Sequence, residues 1–287
     1  MEMSIVDDAS SRPPDDVIPA RAPGDIRVIR LEKNAGPGRA RNVGIGAARG
    51  ELIAFLDSDD VWMADKTECQ VRMLRDHPRA AWVYSDCRYI WHGAVVSKPN
   101  SRFHGFPHGM PAERLVNEYH LRGYNYITMS SVMTWKWALD EIDGFDETLR
   151  ISEDWDLFSR MAERFDVRAC PQPLQLYRLK GDGAWHYAFV DEYAEVNARI
   201  LTRLYERQGL LPARARDLAR GIAMVHERAA IQRLNAGQVR EARRHLFHPA
   251  IRPKRFHVRL IALRLLALLP PLCYRLALKL YFRLQKI

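Results

Sequence analysis

The run Glu51-Leu52-Ile53-Ala54-Phe55-Leu56-Asp57-Ser58-Asp59-Asp60 decides how this chain is read, because an apolar stretch runs straight into three carboxylates. Five of the six residues from Leu52 to Asp57 are apolar, which suits a strand buried on both faces of a mainly parallel sheet. Asp57, Asp59 and Asp60 then crowd together where such a strand ends. Like charges that close repel unless a cation or a donor-rich ligand offsets them. Ligands bind at the carboxyl ends of strands in open α/β sheets. A divalent cation holding a phosphorylated substrate is the economical reading. The rival is an acidic turn that ends a strand and caps the helix beginning near Asp65.

Outward from this run, short apolar strands alternate with helices. Strands are predicted at Glu2–Val6, Ile26–Leu31, Ala81–Ile90, Ile127–Thr134 and Leu174–Leu179. Helices are predicted at 39–48, 65–76, 111–120 and 135–142, and from Glu153 or Asp154 to Phe165. Gly50 is placed to close the first helix in a left-handed conformation. The alternation predicts an α/β domain over residues 1–185, with a mixed, mostly parallel sheet flanked by helices. Beyond Val190 strand signals cease, and amphipathic helices at 192–208, 213–235 and 239–247 define a helical region over 186–250. The stretch from Ala229 to Gln238 resembles the turn of a tetratricopeptide-like helix pair, though one pair makes no array.

Composition narrows the class. At 287 residues, with 47% hydrophobic and 28% charged residues, the chain is a globular protein with a sizeable core. Cys69, Cys87, Cys170 and Cys273 form no CxxC pair, which argues against a zinc knuckle or disulfide framework and fits a reducing compartment. Met1 leads directly into a strand and an acidic turn rather than a charged, apolar leader. From Ala242 onward there are eleven Lys or Arg and no Asp or Glu; taking these from the net charge of +9 leaves about −2 for the rest. A near-neutral body with a basic tail is not a uniformly basic nucleic-acid binder.

Three further segments carry chemistry. In Ser152-Glu153-Asp154-Trp155-Asp156, two acids fall at a helix N-terminus, where the macrodipole stabilises an ionised carboxylate. A general base needs such a fixed oxygen within reach of a substrate hydroxyl; the rival reading is a Ser152 cap with acids in the first turn. Gly36-Pro37-Gly38-Arg39-Ala40-Arg41-Asn42 is a glycine-rich turn opening a helix with two arginines, suited to phosphate. It is neither a P-loop nor a dinucleotide fingerprint. Val6-Asp7-Asp8-Ala9-Ser10 places acids at a strand end, able to hydrogen-bond a nucleobase or ribose or to form an Asx turn. His104 and His108 are separated by Gly105 and Pro107, so no metal role is expected of them. Trp82, Trp135, Trp137 and Trp155 suit the core, and Trp155 also suits the wall of a sugar pocket.

Taken in order, these segments resemble the family 2 glycosyltransferases, which have the GT-A fold. The matching residues are Val6-Asp7-Asp8-Ala9-Ser10, Asn34-Ala35-Gly36 with Ala40-Arg41-Asn42, Gly50-Glu51 to Asp60, Gly144-Phe145-Asp146-Glu147, and Ser152 to Leu157. The resemblance covers roughly residues 2–180 and implies roles by position. Asp57-Ser58-Asp59 looks like the DxD motif, with Asp59 on a divalent metal (Mn²⁺ or Mg²⁺) and Asp57 supporting metal or ribose. Asp8 would read the nucleobase, Arg41 would hold the nucleotide, and Asp154 would be the general base beside Glu153. The implied activity is inverting transfer from a nucleotide-sugar, a UDP-sugar, to a glycan, lipid-linked or polysaccharide acceptor.

Members of the family normally begin with a strand and helix ahead of the strand matching Glu2–Val6. That unit is absent here, so the sheet is expected to lack a strand and the base pocket a wall. A non-catalytic binding or scaffold protein derived from the fold is therefore the alternative. At the other end, residues 251–287 alternate apolar runs with Arg or Lys, and Arg275, Lys279 and Arg283 fall four apart. This reads as a basic amphipathic segment lying on an anionic membrane surface. The expected location is cytoplasmic, peripheral on the inner face of the cell membrane, with no nucleic-acid partner.

Overall fold

A computed structural model of the chain describes residues 1–12, 25–91, 93–96, 125–179, 190–211, 213–249 and 268. The segment 251–287, the helix expected at 111–120, His104, His108 and Cys273 lie outside the described residues, Leu268 excepted. The chain divides into two compact units, the first being Met1–His120 with Tyr124–Asp182.

The first unit is α/β. Strands β1 (Glu2–Asp7) and β2 (Asp25–Arg30) pair in parallel. The larger sheet has the order β3 (Leu52–Ala54), β7 (Val132–Trp135), β5 (Ala80–Trp91), β8 (Asp166–Arg178) and β4 (Val61–Trp62), with β6 (Ala94–Val96) paired to β5. β5 and β8 run parallel through the middle, and the flanking pairings of this sheet are antiparallel. The sheet is mixed, as expected, and its single parallel pairing, β5 with β8, is its longest. A register shift sits where Pro171 and Pro173 enter β8, because proline has no N–H to give the ladder.

Helices α1 (Pro37–Ala47), α2 (Lys66–Asp76), α3 (Lys136–Glu141) and α4 (Glu153–Arg164) complete this unit. α1 begins with Pro37 at its first turn, where the missing N–H is harmless. The core is built where α4 meets the sheet: Trp82 of β5 stacks on Phe158 of α4 with ring centroids 5.6 Å apart. Leu157, Met161, Val132 and Val167 close around them.

Four expectations are corrected. The apolar run leaves the sheet after Ala54, so the acids stand on a turn that begins three residues further on, at Asp57. Gly50 does not cap α1: the helix ends in an extended Ala48, and the Arg49 and Gly50 amides bond the Glu2 carboxylate instead. The strand expected from Ile127 begins only at Val132, after a 3-10 turn at Met129–Ser131, because Ser130 and Ser131 are used for side-chain bonding. Trp137 is exposed rather than core, edge-on to Phe165.

The described part of the second unit is helical: α5 (Val190–Arg207), α6 (Ala215–Asn235) and α7 (Val239–Leu246). α6 packs on both α5 and α7, and Leu201, Leu204, Ala230, Leu234 and Leu246 of the three helices are buried. Gly237 turns the chain between α6 and α7 at φ 77°. Asp191 is held below the ordinary carboxylate range against its burial, because Arg233 and His245 donate to it. Burial, with His248 and His245 beside it, pushes His226 down to about 4. No helix among the described residues is long and apolar enough to cross a membrane.

Candidate active site

The acid run folds into a turn that the rest of the unit braces. The Asp60 amide donates to the Asp57 carbonyl at 3.0 Å, closing a four-residue turn between β3 and β4. Ser130, far away in sequence, sits under it. Its hydroxyl accepts the Asp57 amide at 2.9 Å and donates to Asp60 Oδ2 at 2.7 Å. The Arg178 amide donates to Asp60 Oδ1 at 3.0 Å, and its guanidinium to the Asp59 carbonyl at 2.9 Å. Both oxygens of buried Asp60 are thus committed inside the protein. Burial raises its pKa most, with Asp57 and Asp59 adding to the rise. Asp60 therefore anchors the turn, while Asp57 and Asp59 sit at part-exposed positions.

The second acid pair opens α4. Glu153 and Asp154 occupy its first turn, where the helix dipole favours negative charge. Ser152 stands at the cap position, but its side chain makes no capping bond and its backbone is left-handed at φ 57°. A non-glycine residue held there is strained by about 1–3 kcal/mol, and the strain falls directly before the acids. Asp154 Oδ2 accepts from Asn125 Nδ2 at 3.0 Å, and Oδ1 from the Trp155 amide at 2.7 Å. Burial, chiefly, and Glu153 raise Asp154 to about 7, against the pull of Arg41 and the Trp155 amide.

Arg41 of α1 joins the two groups. It donates to Asp57 Oδ1 at 2.8 Å and to Glu153 Oε1 at 2.6 Å, and lies 5.5 Å from the Phe145 ring centre. Its pKa is raised against the effect of its own burial by Asp57 and Glu153. The phenol of Tyr177 is raised by burial first, and then by Asp60, Asp154, Asp57 and Asp59. All four carboxylates therefore act on one hydroxyl.

The glycine-containing segments hold the frame. Asp8 accepts the Ala35 amide at 2.7 Å and the Gly36 amide at 2.9 Å, pinning the turn that precedes α1. Asn42 clasps Phe145 from both sides, accepting its amide and donating to its carbonyl, each at 2.9 Å. Arg160 reaches from α4 to Asp156 and to the Ile142 and Gly144 carbonyls. Trp155 departs from expectation: it is 2% exposed, because it lies on the inward side of an almost wholly buried helix. It cannot wall a pocket. Ser130, Asn125 and Tyr177 were not expected at the site. Only the paired hydroxyls of Ser130-Ser131 in an otherwise apolar stretch gave a hint.

Hard oxygen donors at Asp57 and Asp59 fit Mg²⁺ or Mn²⁺ better than a softer ion. Asp57 spends Oδ1 on Arg41 and keeps a second oxygen for a cation.

A mixed sheet with an acidic turn at one strand end, tied to a second acid pair at a helix start, defines the GT-A class of fold. The family model described as "Glycosyl transferase family 2" matches residues 1–126, so this part of the chain is similar to that family. An uncharacterized glycosyltransferase of Bacillus subtilis, YwdF, is 28% identical over 220 residues, 73% of this chain and 74% of that protein. The succinoglycan biosynthesis protein ExoO of Rhizobium meliloti is 31% identical over 168 residues, 55% of this chain and 46% of its own length. Among solved structures, the mannosyltransferase PcManGT of Pyrobaculum calidifontis, in complex with GDP-Man and Mn²⁺, superposes with a TM-score of 0.54 at 17% identity, covering 96% of this chain and 72% of that one. The chain thus spans about half of ExoO and about three quarters of YwdF.

Proposed function

We propose that this chain is a glycosyltransferase that moves a sugar, with inversion, from a nucleoside diphosphate donor to a hydroxyl of a glycan, lipid-linked or polysaccharide acceptor. The observation that carries the reading is Arg41, bonded at once to Asp57 and Glu153. It draws the strand-end acids and the helix-start acids to one locus. Asp154, beside Glu153, is the base. Its raised pKa puts proton affinity near the working pH, as general-base catalysis favours. It accepts the acceptor's proton as the oxygen attacks the anomeric carbon opposite the phosphate. Arg41 orients the acids and offers positive charge to the departing diphosphate. Asp57 and Asp59 would hold the divalent cation, which when bound supplies charge neutralisation for the leaving group. Asp8 and the Ala35–Gly36 turn border the expected base pocket.

PcManGT is named with Mn²⁺ and ExoO with a polysaccharide, which supports a metal-dependent role in polysaccharide synthesis. The scaffold alternative draws no support from the site, where both acid groups are present and braced. The test is direct. Asp59→Ala and Asp154→Asn should each abolish transfer, and calorimetry should find binding of UDP that requires Mn²⁺. Unchanged turnover in either variant removes the assignment.

The basic segment 251–287 supports peripheral attachment at the cytoplasmic face of the membrane. The chain should sediment with anionic vesicles and not with neutral ones. Equal sedimentation with both, or with neither, rejects the attachment.

A further inference from the structure

The helical unit gathers a carboxylate and two imidazoles that the transfer reaction does not use. Glu195 of α5, His226 of α6 and His248, two residues past α7, each bring a ligand atom within 4.8 Å of the others. His226 is 1% exposed, and its Nε2 is buried with no hydrogen-bond partner.

The bonds behind His226 say which nitrogen carries its proton. Its Nδ1 lies 3.0 Å from His245 Nδ1, and His245 Nε2 lies 2.7 Å from Asp191 Oδ1. A carboxylate only accepts, so His245 keeps its proton on Nε2 and presents Nδ1 as an acceptor. Arg233 also donates to Asp191 Oδ1, at 2.9 Å. With His226 Nδ1 donating to that acceptor, its Nε2, which has no hydrogen-bond partner, carries a bare lone pair. An acceptor buried without a donor is unfavourable, and an ion that takes the electron pair removes the penalty.

We propose that Glu195, His226 and His248 form a binding site for a divalent transition-metal ion of the zinc type, which clips α5 and α6 to the segment after α7. Two imidazoles and one carboxylate suit zinc, cobalt or nickel, whereas magnesium and calcium prefer oxygen alone. The Asp191–His245 pair behind His226 is the outer support that orients a metal-bound imidazole. His226 and His248 stack with ring centroids 3.8 Å apart. Bonds of about 2.0–2.2 Å are reached by turning the exposed Glu195 and the half-buried His248 toward the fixed His226. The site is separate in sequence and in ligand chemistry from the acids at Asp57 and Asp59.

The full chain, carrying Asp59→Asn to silence the acid site and stripped with a chelator, is titrated with Zn²⁺ and then with Co²⁺ as a spectroscopic probe. One equivalent should bind, and bound Co²⁺ should show the intense visible absorption of a tetrahedral site. Glu195→Gln and His248→Ala should each weaken binding at least about tenfold, the scale of a perturbed ligand shell. These two substitutions lie on the open side and spare the buried ring. Absence of binding in the stripped chain, or an affinity in either variant equal to that of the chain without it, overturns the site.

Discussion

Arg41 and Asp57 meet at 2.8 Å, and the same guanidinium reaches Glu153 at 2.6 Å. One cation therefore links the turn after β3 to the first turn of α4. The link is shielded, with the Arg41 side chain 17% and the Glu153 side chain 9% exposed.

Removing that cation leaves Glu153 in a poorly hydrated place beside Asp154. Breaking a buried pair from one side costs about 3–5 kcal/mol, and the greater exposure of Asp57 lowers this. Arg41→Ala should reduce stability by about 2–4 kcal/mol in urea denaturation. Arg41→Lys should recover only part of it, because an ammonium is a single point charge and cannot fork between two carboxylates. A loss below about 1 kcal/mol, the scale of an exposed pair, would show the link to be ornamental.

Asp154 makes rate and stability respond to pH in opposite directions. The transfer reaction needs its ionised form, so kcat/KM should rise with pH and level off above about 7. Asp154→Asn should lose both the inflection and about 10²–10⁴-fold in rate. For stability, the same carboxyl titrates near its ordinary 3.8 when unfolded and near 7 when folded. Between these values the folded state holds the extra proton, so stability from this group is full at low pH and is lost as pH rises through the folded value. Thermal melts of Asp154→Asn should therefore show a flatter slope between pH 4 and 7 than the parent. Parallel slopes would mean that Asp154 titrates normally.

How much of this was legible in the sequence depends on range. Asp57, Asp59, Glu153 and Asp154 stood out because charges beside apolar runs are anomalous wherever they are read. The α/β alternation followed from local periodicity in the same way. The Ser130 bonds to Asp57 and Asp60 join residues about 70 positions apart, and nothing local announces them. Met129-Ser130-Ser131-Val132 reads as a strand until those partners are seen. Trp155 was read both for the core, where it lies, and for a pocket wall, because a helix buried nearly all round gives no outward face to count from. His226, His245 and His248 went unnoticed because the first lies on a different helix from the second, and the third lies beyond the end of that second helix. Their meeting is a property of packing.

Gly144 should tolerate no side chain. Its φ is +60°, and an added Cβ would lie 2.5 Å from Asn42 Oδ1, the atom that accepts the Phe145 amide. The left-handed backbone alone costs a non-glycine residue about 1–2 kcal/mol, and the clash adds to it. Gly144→Ala should destabilise by about 2 kcal/mol or more, read by denaturant midpoint. Combined with Asn42→Ala it should cost less than the sum of the two, because the contact is then already lost. Strict additivity would place the effect in the backbone alone.

Ser130→Ala tests whether the acidic turn is braced from beneath. Its hydroxyl serves the Asp57 amide and the Asp60 carboxylate together, and Ser130 itself is fully buried. Alanine would orphan one donor and one charged acceptor, at about 1–3 kcal/mol. Asp60, already raised chiefly by burial, would lose a donor that lowers it, so its folded pKa should climb further. A carboxyl raised in the folded state loses stability as pH rises through that value, so the deficit of Ser130→Ala should be greater at neutral pH than in acid. Because Asp60 remains tied to the Arg178 amide, the turn should loosen rather than unfold. Mn²⁺-dependent UDP binding should accordingly weaken severalfold while far-ultraviolet dichroism stays unchanged. Full-strength binding with a pH-independent deficit would show that Asp57 and Asp59 hold their positions without this hydroxyl.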